Sequence, residues 1–131
     1  MKRIVFVNDD GSAYRLTGAL RQAGYEVVAA ADKFEAFSTI QHGLEEGRAF
    51  DLLVLPVVMP AADGLELIDR LRAAGTGIAF LALVSFLDEG LLVELLQRKC
   101  MDYLEKPVSP EDLTKRVRHM LDKEVEEKAA H

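Results

Sequence analysis

Short apolar runs alternate with longer amphipathic segments along this chain. The runs hold about four to eight residues each, a length typical of strands, and the intervening segments have the period of helices. Five strands are predicted, at Arg3–Val7, Glu26–Ala30, Leu52–Leu55, Ile78–Val84 and Asp102–Leu104. The first, third and fourth are almost wholly apolar, which favours strands covered on both faces. The charge in the second favours a position nearer an edge.

Five helices are predicted between and after these strands. They are Ser12–Ala23, Lys33–Glu46, Gly64–Ala74, Asp88–Arg98 and a fifth that begins after Ser109 and has Pro110 at its first position. Gly24, Gly47 and Gly75 follow the first three helices, where glycine commonly ends a helix. Asp63 is the expected N-cap of the third helix, and Ser109 of the fifth. One domain is therefore predicted over residues 1–122, with 123–131 as the end of the last helix or a frayed tail.

The order of the elements predicts an α/β fold. Five βα units connected by right-handed crossovers form a single doubly wound parallel sheet, with strand order 2-1-3-4-5 and flavodoxin-like topology. Ligands of such folds bind outside the carboxyl ends of the strands, near the point where the strand order reverses.

Composition narrows the class of partner. The 131 residues are 50% apolar and 29% charged, with a net charge of −6. That acidity disfavours nucleic acid as a partner. The chain has no charged leader and no long apolar stretch, so we expect a cytoplasmic domain that does not bind a membrane. The single cysteine, Cys100, agrees with a reducing compartment.

Polar and unusual residues follow four of the predicted strands. They are Asn8-Asp9-Asp10 after the first, Pro56 at the end of the third, Val84-Ser85 at the end of the fourth and Lys106-Pro107 after the fifth. Together with the segment Pro56–Gly64, which contains Met59-Pro60, this pattern resembles the receiver domain of bacterial two-component response regulators. The resemblance covers residues 2–122.

The resemblance implies a role for each of these positions. Two acids after the first strand hold Mg²⁺, an aspartate ending the third strand accepts a phosphoryl group, a Thr or Ser ending the fourth binds its oxygens, and a lysine pairs with them. Asp9 and Lys106 match this pattern. Three positions depart from it, because Pro56 has no nucleophile, Asn8 has no charge and Val84 has no hydroxyl. Ser85 would replace Val84 only if the register slipped by one residue.

Other acids are poor substitutes for the missing aspartate. Asp51 lies at the opposite end of the third strand, about 16 Å away at the usual rise per residue. Asp63 is explained as a helix cap, and the resemblance gives Asp10 an accessory place at most. We therefore expect weak Mg²⁺ binding at Asp9 and Asp10, or none, and no cofactor.

A second group of residues predicts an interaction face. The resemblance places the docking and switch surface on the fourth helix, the fifth strand and the fifth helix. Its candidates here are Tyr103, Phe86, Leu91 and Leu92. The fourth helix is more apolar than a single buried stripe requires, which indicates either deep burial or a protein contact. Lys106-Pro107 has a raised chance of a cis peptide bond.

These observations predict a degenerate receiver in two-component-type signalling that is not an enzyme. It would act through phosphorylation-independent contact with a protein partner, which could be a histidine kinase, an output domain, another signalling protein or a second copy of the chain. One alternative is a phosphorelay receiver modified at a non-standard acid. Another is a receiver-like domain that binds a small molecule in the altered pocket.

Overall fold

The computed structural model describes residues 1–8, 14–57, 62–85, 87–98 and 102–122. Strands and helices alternate strictly along the chain. The strands are β1 (Arg3–Val7), β2 (Glu26–Ala30), β3 (Leu52–Val57), β4 (Ala79–Val84) and β5 (Asp102–Glu105). The helices are α1 (Tyr14–Gln22), α2 (Lys33–Glu45), α3 (Ala62–Ala73), α4 (Glu89–Gln97) and α5 (Pro110–Leu121).

The five strands form one parallel sheet in the order β2-β1-β3-β4-β5. The predicted fold class and strand order are therefore confirmed. The edge position predicted for the second strand is also confirmed. Because β2 and β3 pair with opposite sides of β1, the chain reverses its direction of winding between β1 and β3, and this gap is the topological switch point.

Apolar side chains fill a separate layer on each face of the sheet. Successive strand residues point to opposite faces, so Val5, Leu53 and Val84 join the layer beneath α2, α3 and α4. Ile4, Phe6 and Val54 join the other layer, beneath α1 and α5. Every residue of β4 from Phe80 to Val84 is buried. Burial on both faces explains the unbroken apolar runs in the sequence.

Three helices end in the same hydrogen-bonded glycine turn. After α2, Gly47 has a φ of +74°, and the N–H of Arg48 donates to the carbonyl of Gly43 over 2.7 Å. Equivalent bonds run from Tyr25 to Leu20 after α1 and from Thr76 to Leu71 after α3. These bonds satisfy carbonyls that a helix end leaves unpaired, and they confirm the predicted stops at Gly24, Gly47 and Gly75.

The predicted helix starts are only partly correct. Asp88 caps α4 by accepting from the N–H of Leu91 over 2.8 Å, and Ser109 caps α5 by accepting from that of Asp112 over 3.1 Å. The prediction for Asp63 was wrong, because α3 begins at Ala62 and Asp63 lies within its first turn. Aspartate is favoured both as a cap and in a first turn, so residue type alone does not distinguish the two.

Candidate functional site

The carboxyl edge of the sheet brings together most of the predicted site positions. Asn8 directly follows β1, Pro56 is the penultimate residue of β3, Ser85 follows β4 and Lys106 follows β5. Pairing of adjacent strands places Val57 beside Val84, and Val84 beside Glu105. The switch point between β1 and β3 is thus flanked by Asn8 and Pro56.

Pro56 lies inside the strand rather than after it. We predicted that the third strand ends at Leu55, but β3 continues to Val57, with Pro56 opposite Leu83 of β4. Pairing between β3 and β1 stops earlier, at Val54 opposite Phe6. Proline has no N–H to donate to a neighbouring strand, so a strand can contain it only where one side is left unpaired. The side chain of Pro56 is partly exposed.

Val84 belongs to the core and Ser85 does not. The side chain of Val84 is fully buried in the layer beneath α2, α3 and α4. Ser85 is exposed just beyond the end of β4. The observed register therefore keeps Val84 in the strand position and gives no sign of the one-residue slip that would exchange the two.

Two backbone hydrogen bonds hold the described polar residues Asn8 and Lys106 at this edge. The N–H of Asn8 donates to the carbonyl of Ala30 over 2.8 Å, and the N–H of Lys106 donates to the carbonyl of Val84 over 2.7 Å. The side chain of Lys106 is exposed, and the peptide bond between Lys106 and Pro107 is cis, as the sequence suggested. Asp9, Asp10 and Phe86 lie outside the described residues, so the roles predicted for them remain predictions.

The described residues of this edge do not fit a magnesium site. Mg²⁺ requires oxygen ligands in near-octahedral geometry and is usually held by carboxylates. At this edge, Asn8 supplies an amide oxygen, while Pro56 and Val84 supply no side-chain oxygen. Within the part of the chain that the structure describes, no three acidic, histidine or cysteine side chains cluster as metal ligands would.

None of the helices in the described residues has both the length and the apolar character that a membrane-spanning helix needs.

The fourth helix buries one apolar stripe and exposes another. Leu91 and Leu95 are buried in the core, which corrects the prediction that Leu91 lies on an interaction face. Leu92 is partly exposed. Val93 and Leu96, which we did not single out, are 48% and 65% exposed. Residues four apart share a helix face, so helical periodicity groups Leu91 with Leu95 and Leu92 with Leu96, but the structure is needed to show that the first pair faces the core.

Tyr103 lies between the core and the surface. Its side chain is partly buried and packs against the core layer that contains Leu91 and Leu95. Its backbone carbonyl accepts a hydrogen bond from Arg116 of α5 over 3.3 Å. Arg116 also forms an ion pair with Asp102 at the start of β5. Tyr103 therefore packs on the core, and its predicted place on an interaction face stays a prediction.

Charged side chains concentrate at the opposite, amino edge of the sheet. Arg3, Glu26, Arg48, Phe50 and Asp51 meet there, and we call them the Arg3 cluster. The backbone N–H of Arg3 donates to Asp51 Oδ2 over 2.8 Å. The side chain of Arg3 forms an ion pair with Glu26 and donates to the carbonyl of Arg48. The guanidinium lies 4.0 Å from the centre of the Phe50 ring. The hydrogen bond from Arg3 holds the pKa of Glu26 below its ordinary value.

A hydrogen bond from Tyr25 holds the end of α5. Tyr25, which is buried, donates its hydroxyl proton to Asp122 Oδ2 over 3.2 Å, just beyond α5. Burial raises the pKa of Tyr25, and the neighbouring Asp122 carboxylate raises it further. This contact joins residues that are far apart in the sequence and could not be read from a local pattern.

Comparisons of this sequence with protein families and with curated relatives agree with one another. The family described as "Response regulator receiver domain" matches residues 4–118. The chain is 37% identical over 121 residues to "Probable transcriptional regulator ycf27" of Cyanophora paradoxa, covering 92% of this chain and 48% of that protein. It is 36% identical over 129 residues to "Response regulator MprA" of Mycobacterium bovis, covering 98% of this chain and 54% of that protein. The chain thus spans about half the length of these curated relatives.

Solved structures agree with the sequence matches. A response regulator receiver domain protein (CheY-like) from Methanospirillum hungatei superposes with a TM-score of 0.80 and 27% sequence identity. The superposition covers 97% of this chain and 98% of that one.

Proposed function

Because this chain belongs to the response regulator receiver domain family, we propose that it acts as a degenerate receiver that signals by protein contact rather than by accepting a phosphoryl group. The observation that carries the proposal is Pro56, which occupies β3 opposite Leu83 at the carboxyl edge. Proline has no side-chain nucleophile, so it cannot form the covalent phosphoryl intermediate that a carboxylate can.

Two neighbouring positions support the same conclusion. Phosphoryl transfer depends on positioning and on neutralising the charge of the transferred oxygens. The side chain of Val84 is buried in the core and offers no hydrogen bond. Asn8 contributes no negative charge with which to hold a metal ion. The altered edge therefore lacks the acceptor and is poor in metal and phosphate contacts, and we assign it no enzymatic activity and no cofactor.

Incubation with Mg²⁺ and acetyl phosphate tests this directly. We expect the intact mass to stay unchanged over a time course in which a conventional receiver is modified. A stable gain of one phosphoryl group would defeat the proposal. Peptide mapping of such an adduct to Asp9 or Asp10 would instead establish a receiver modified at a non-standard acid.

The substitution Pro56→Asp asks whether the proline is the sole defect. We expect at most slow phosphorylation, because the variant restores the acceptor while Asn8 and Val84 remain. The triple substitution N8D/P56D/V84T should phosphorylate much faster than the single one. Pro56→Ala is the matched control, since it removes the ring without adding a carboxylate. Equal rates in the single and triple variants would show that the other two positions are not defective.

Protein contact is assigned to the outward side of α4. Val93 and Leu96 expose large apolar side chains there, and exposed apolar groups that lie together are common at protein interfaces. The occupant would be a kinase, an output domain, another signalling protein or a second copy of the chain. Sedimentation of the isolated domain distinguishes the last case. If α4 mediates self-association, Leu96→Glu should abolish it.

A substitution on α2 controls for the effect of the added charge. Leu44 is 48% exposed on the end of α2, so Leu44→Glu adds the same charge at a comparable apolar position. It should leave self-association or partner binding unchanged. Loss of association in both variants would point to a general effect of charge and against the α4 surface.

A further inference from the structure

Few buried side chains hold α4 to the rest of the protein. The helix has nine residues, and only Leu91 and Leu95 are buried. These two lie one turn apart, so the helix is anchored along a single short stripe. A helix of this length has little stability of its own and depends on tertiary contacts. The last residues of α4 lie beyond Leu95 and have no buried side chain to anchor them.

An arginine at the end of α4 supplies an anchor of another kind. Arg98, the C-cap residue, directs Nε to Asp69 Oδ1 over 3.0 Å and Nη2 to Asp69 Oδ2 over 3.2 Å. Asp69 belongs to α3, so this two-pronged contact joins neighbouring helices. Nη1 also pairs with the carboxylate of Glu94, one turn earlier in α4. We call Arg98, Asp69 and Glu94 the Arg98 clamp.

The geometry of the clamp restricts the relative orientation of its groups as well as the distance between them. A planar guanidinium that makes two parallel bonds to one carboxylate fixes the relative orientation of the two groups. The side chain of Arg98 is only 23% exposed, against 51% for Asp69. The arginine is thus packed along the protein surface rather than extended into solvent, which favours a defined contact over a transient one.

The clamp is also separate from the carboxyl edge. Asp69 lies on α3, Glu94 on α4 and Arg98 at the C-cap of α4, and none of them is among the polar positions that follow the strands. Leu96, the most exposed apolar residue of α4, lies two positions before Arg98. The contact therefore holds the part of the helix that carries the exposed apolar surface, with no residue at the switch point taking part.

We infer that the Arg98 clamp is a latch that holds the C-terminal half of α4 against α3, so that the Val93 and Leu96 surface is presented in one position irrespective of what binds at the carboxyl edge. This inference rests on the proposed function in assigning protein contact to that surface. Without the latch, the last turn of α4 would open locally while the sheet remained folded.

Hydrogen exchange of the α4 amides tests the latch in the isolated domain. Arg98→Gln and Asp69→Asn should each accelerate exchange in the last turn of α4 by about 5-fold, the scale of a well-formed exposed ion pair. The double variant should be no faster than Arg98→Gln alone, because either change already breaks the contact. Arg98→Lys should give an intermediate rate, since lysine keeps the charge but not the two-pronged geometry.

Arg15→Ala is the matched control. It removes an exposed arginine from α1, on the other face of the sheet, and should leave exchange in α4 unchanged. Strictly additive effects of Arg98→Gln and Asp69→Asn would overturn the latch. So would an equal acceleration in β1 and β3, because that would indicate global destabilisation rather than local opening.

Adding Mg²⁺ and acetyl phosphate to the wild-type protein completes the design. Exchange in α4 should be the same with and without the reagents. A phosphoryl adduct would defeat the proposed function while leaving the exchange results for the clamp variants intact. Additive exchange effects without any adduct would defeat the latch and leave the proposed function standing. Altered α4 exchange in the wild type, with or without an adduct, would contradict a position independent of the carboxyl edge.

Discussion

The two ends of the sheet are built in different ways. At the amino end, the Arg3 cluster joins β1, β2 and the segment before β3 through ion pairs, a hydrogen bond to Asp51 and stacking on Phe50. At the carboxyl end, the backbone N–H groups of Asn8 and Lys106 donate to the carbonyls of Ala30 and Val84, and the side chains of Ser85 and Lys106 are exposed. Side-chain interactions thus fasten the end remote from the candidate site.

This difference explains how the fold can tolerate changes at the candidate site. Binding and catalytic residues sit at strand ends that the scaffold positions but does not depend on for its stability. If stability resides at the amino end, residues of the carboxyl edge such as Asn8 and Lys106 can be substituted without loss of the fold. The comparison predicts unequal costs of substitution at the two ends.

Gly43 should show the largest effect. A Cβ at this position would lie 2.8 Å from the backbone oxygen of Arg48 and 3.0 Å from Cε2 of Phe50. Gly43→Ala should therefore destabilise the protein by about 1–3 kcal/mol, the range for overpacking, although alanine is intrinsically the better helix former. Urea unfolding followed by circular dichroism measures the change in free energy.

The same substitution at Gly18 should have the opposite effect on stability. It also lies within a helix, α1, but a Cβ there would meet nothing within 4 Å. Gly18→Ala should stabilise the protein by about 0.5–1 kcal/mol through helix propensity alone. Stabilisation by both substitutions would show that the contact between Gly43 and Phe50 is not tight.

The substitution Arg3→Ala should cause the next largest loss of stability. Arg3→Ala removes the stacking on Phe50 and leaves Glu26 without its nearest cation. We expect a loss of about 1–2 kcal/mol, from the cation–π contact and the packing of the arginine stem. Lys106→Ala at the carboxyl end should change stability by less than about 0.5 kcal/mol, as is usual for an exposed side chain. Equal losses in the two variants would remove the contrast between the ends.

The elements of this fold were predictable because their signals are local. Apolar runs marked the strands, and glycines in the left-handed region marked the ends of α1, α2 and α3. The end of β3 was misplaced because a proline usually stops a strand, whereas here pairing with β4 continues past Pro56 on one side only. That outcome depends on which neighbour the missing N–H would have faced, and the sequence does not specify it.

The candidate site was predictable in position but not in its surroundings. Strand ends located Asn8, Pro56 and Lys106, because the topology of a parallel sheet dictates where they meet. The Arg98 clamp joins residues 29 positions apart through side-chain rotamers, for which no sequence period exists. Leu91 was assigned to the interaction face together with Leu92, although only Leu92 is partly exposed. The pairs Leu91–Leu95 and Leu92–Leu96 have the same helical spacing, so the sequence alone does not say which of them is buried.

The smallest effect concerns the pH dependence of the amino end. Hydrogen bonding to Arg3 lowers the pKa of Glu26 from the model-compound value of 4.5, so the folded state binds this proton less readily than the unfolded state. The resulting stabilisation is present above pH 4.5 and is lost as the pH falls through the lowered folded-state pKa. Glu26→Gln should therefore be less stable than the wild type at pH 7, and the gap should narrow progressively below pH 4.5. Urea unfolding across this range measures it, with Glu45→Gln at the end of α2 as the background for removing one carboxylate. A gap that stayed constant down to pH 3 would mean that Glu26 contributes by packing rather than by its charge, and the electrostatic part of the contrast between the two ends would fail.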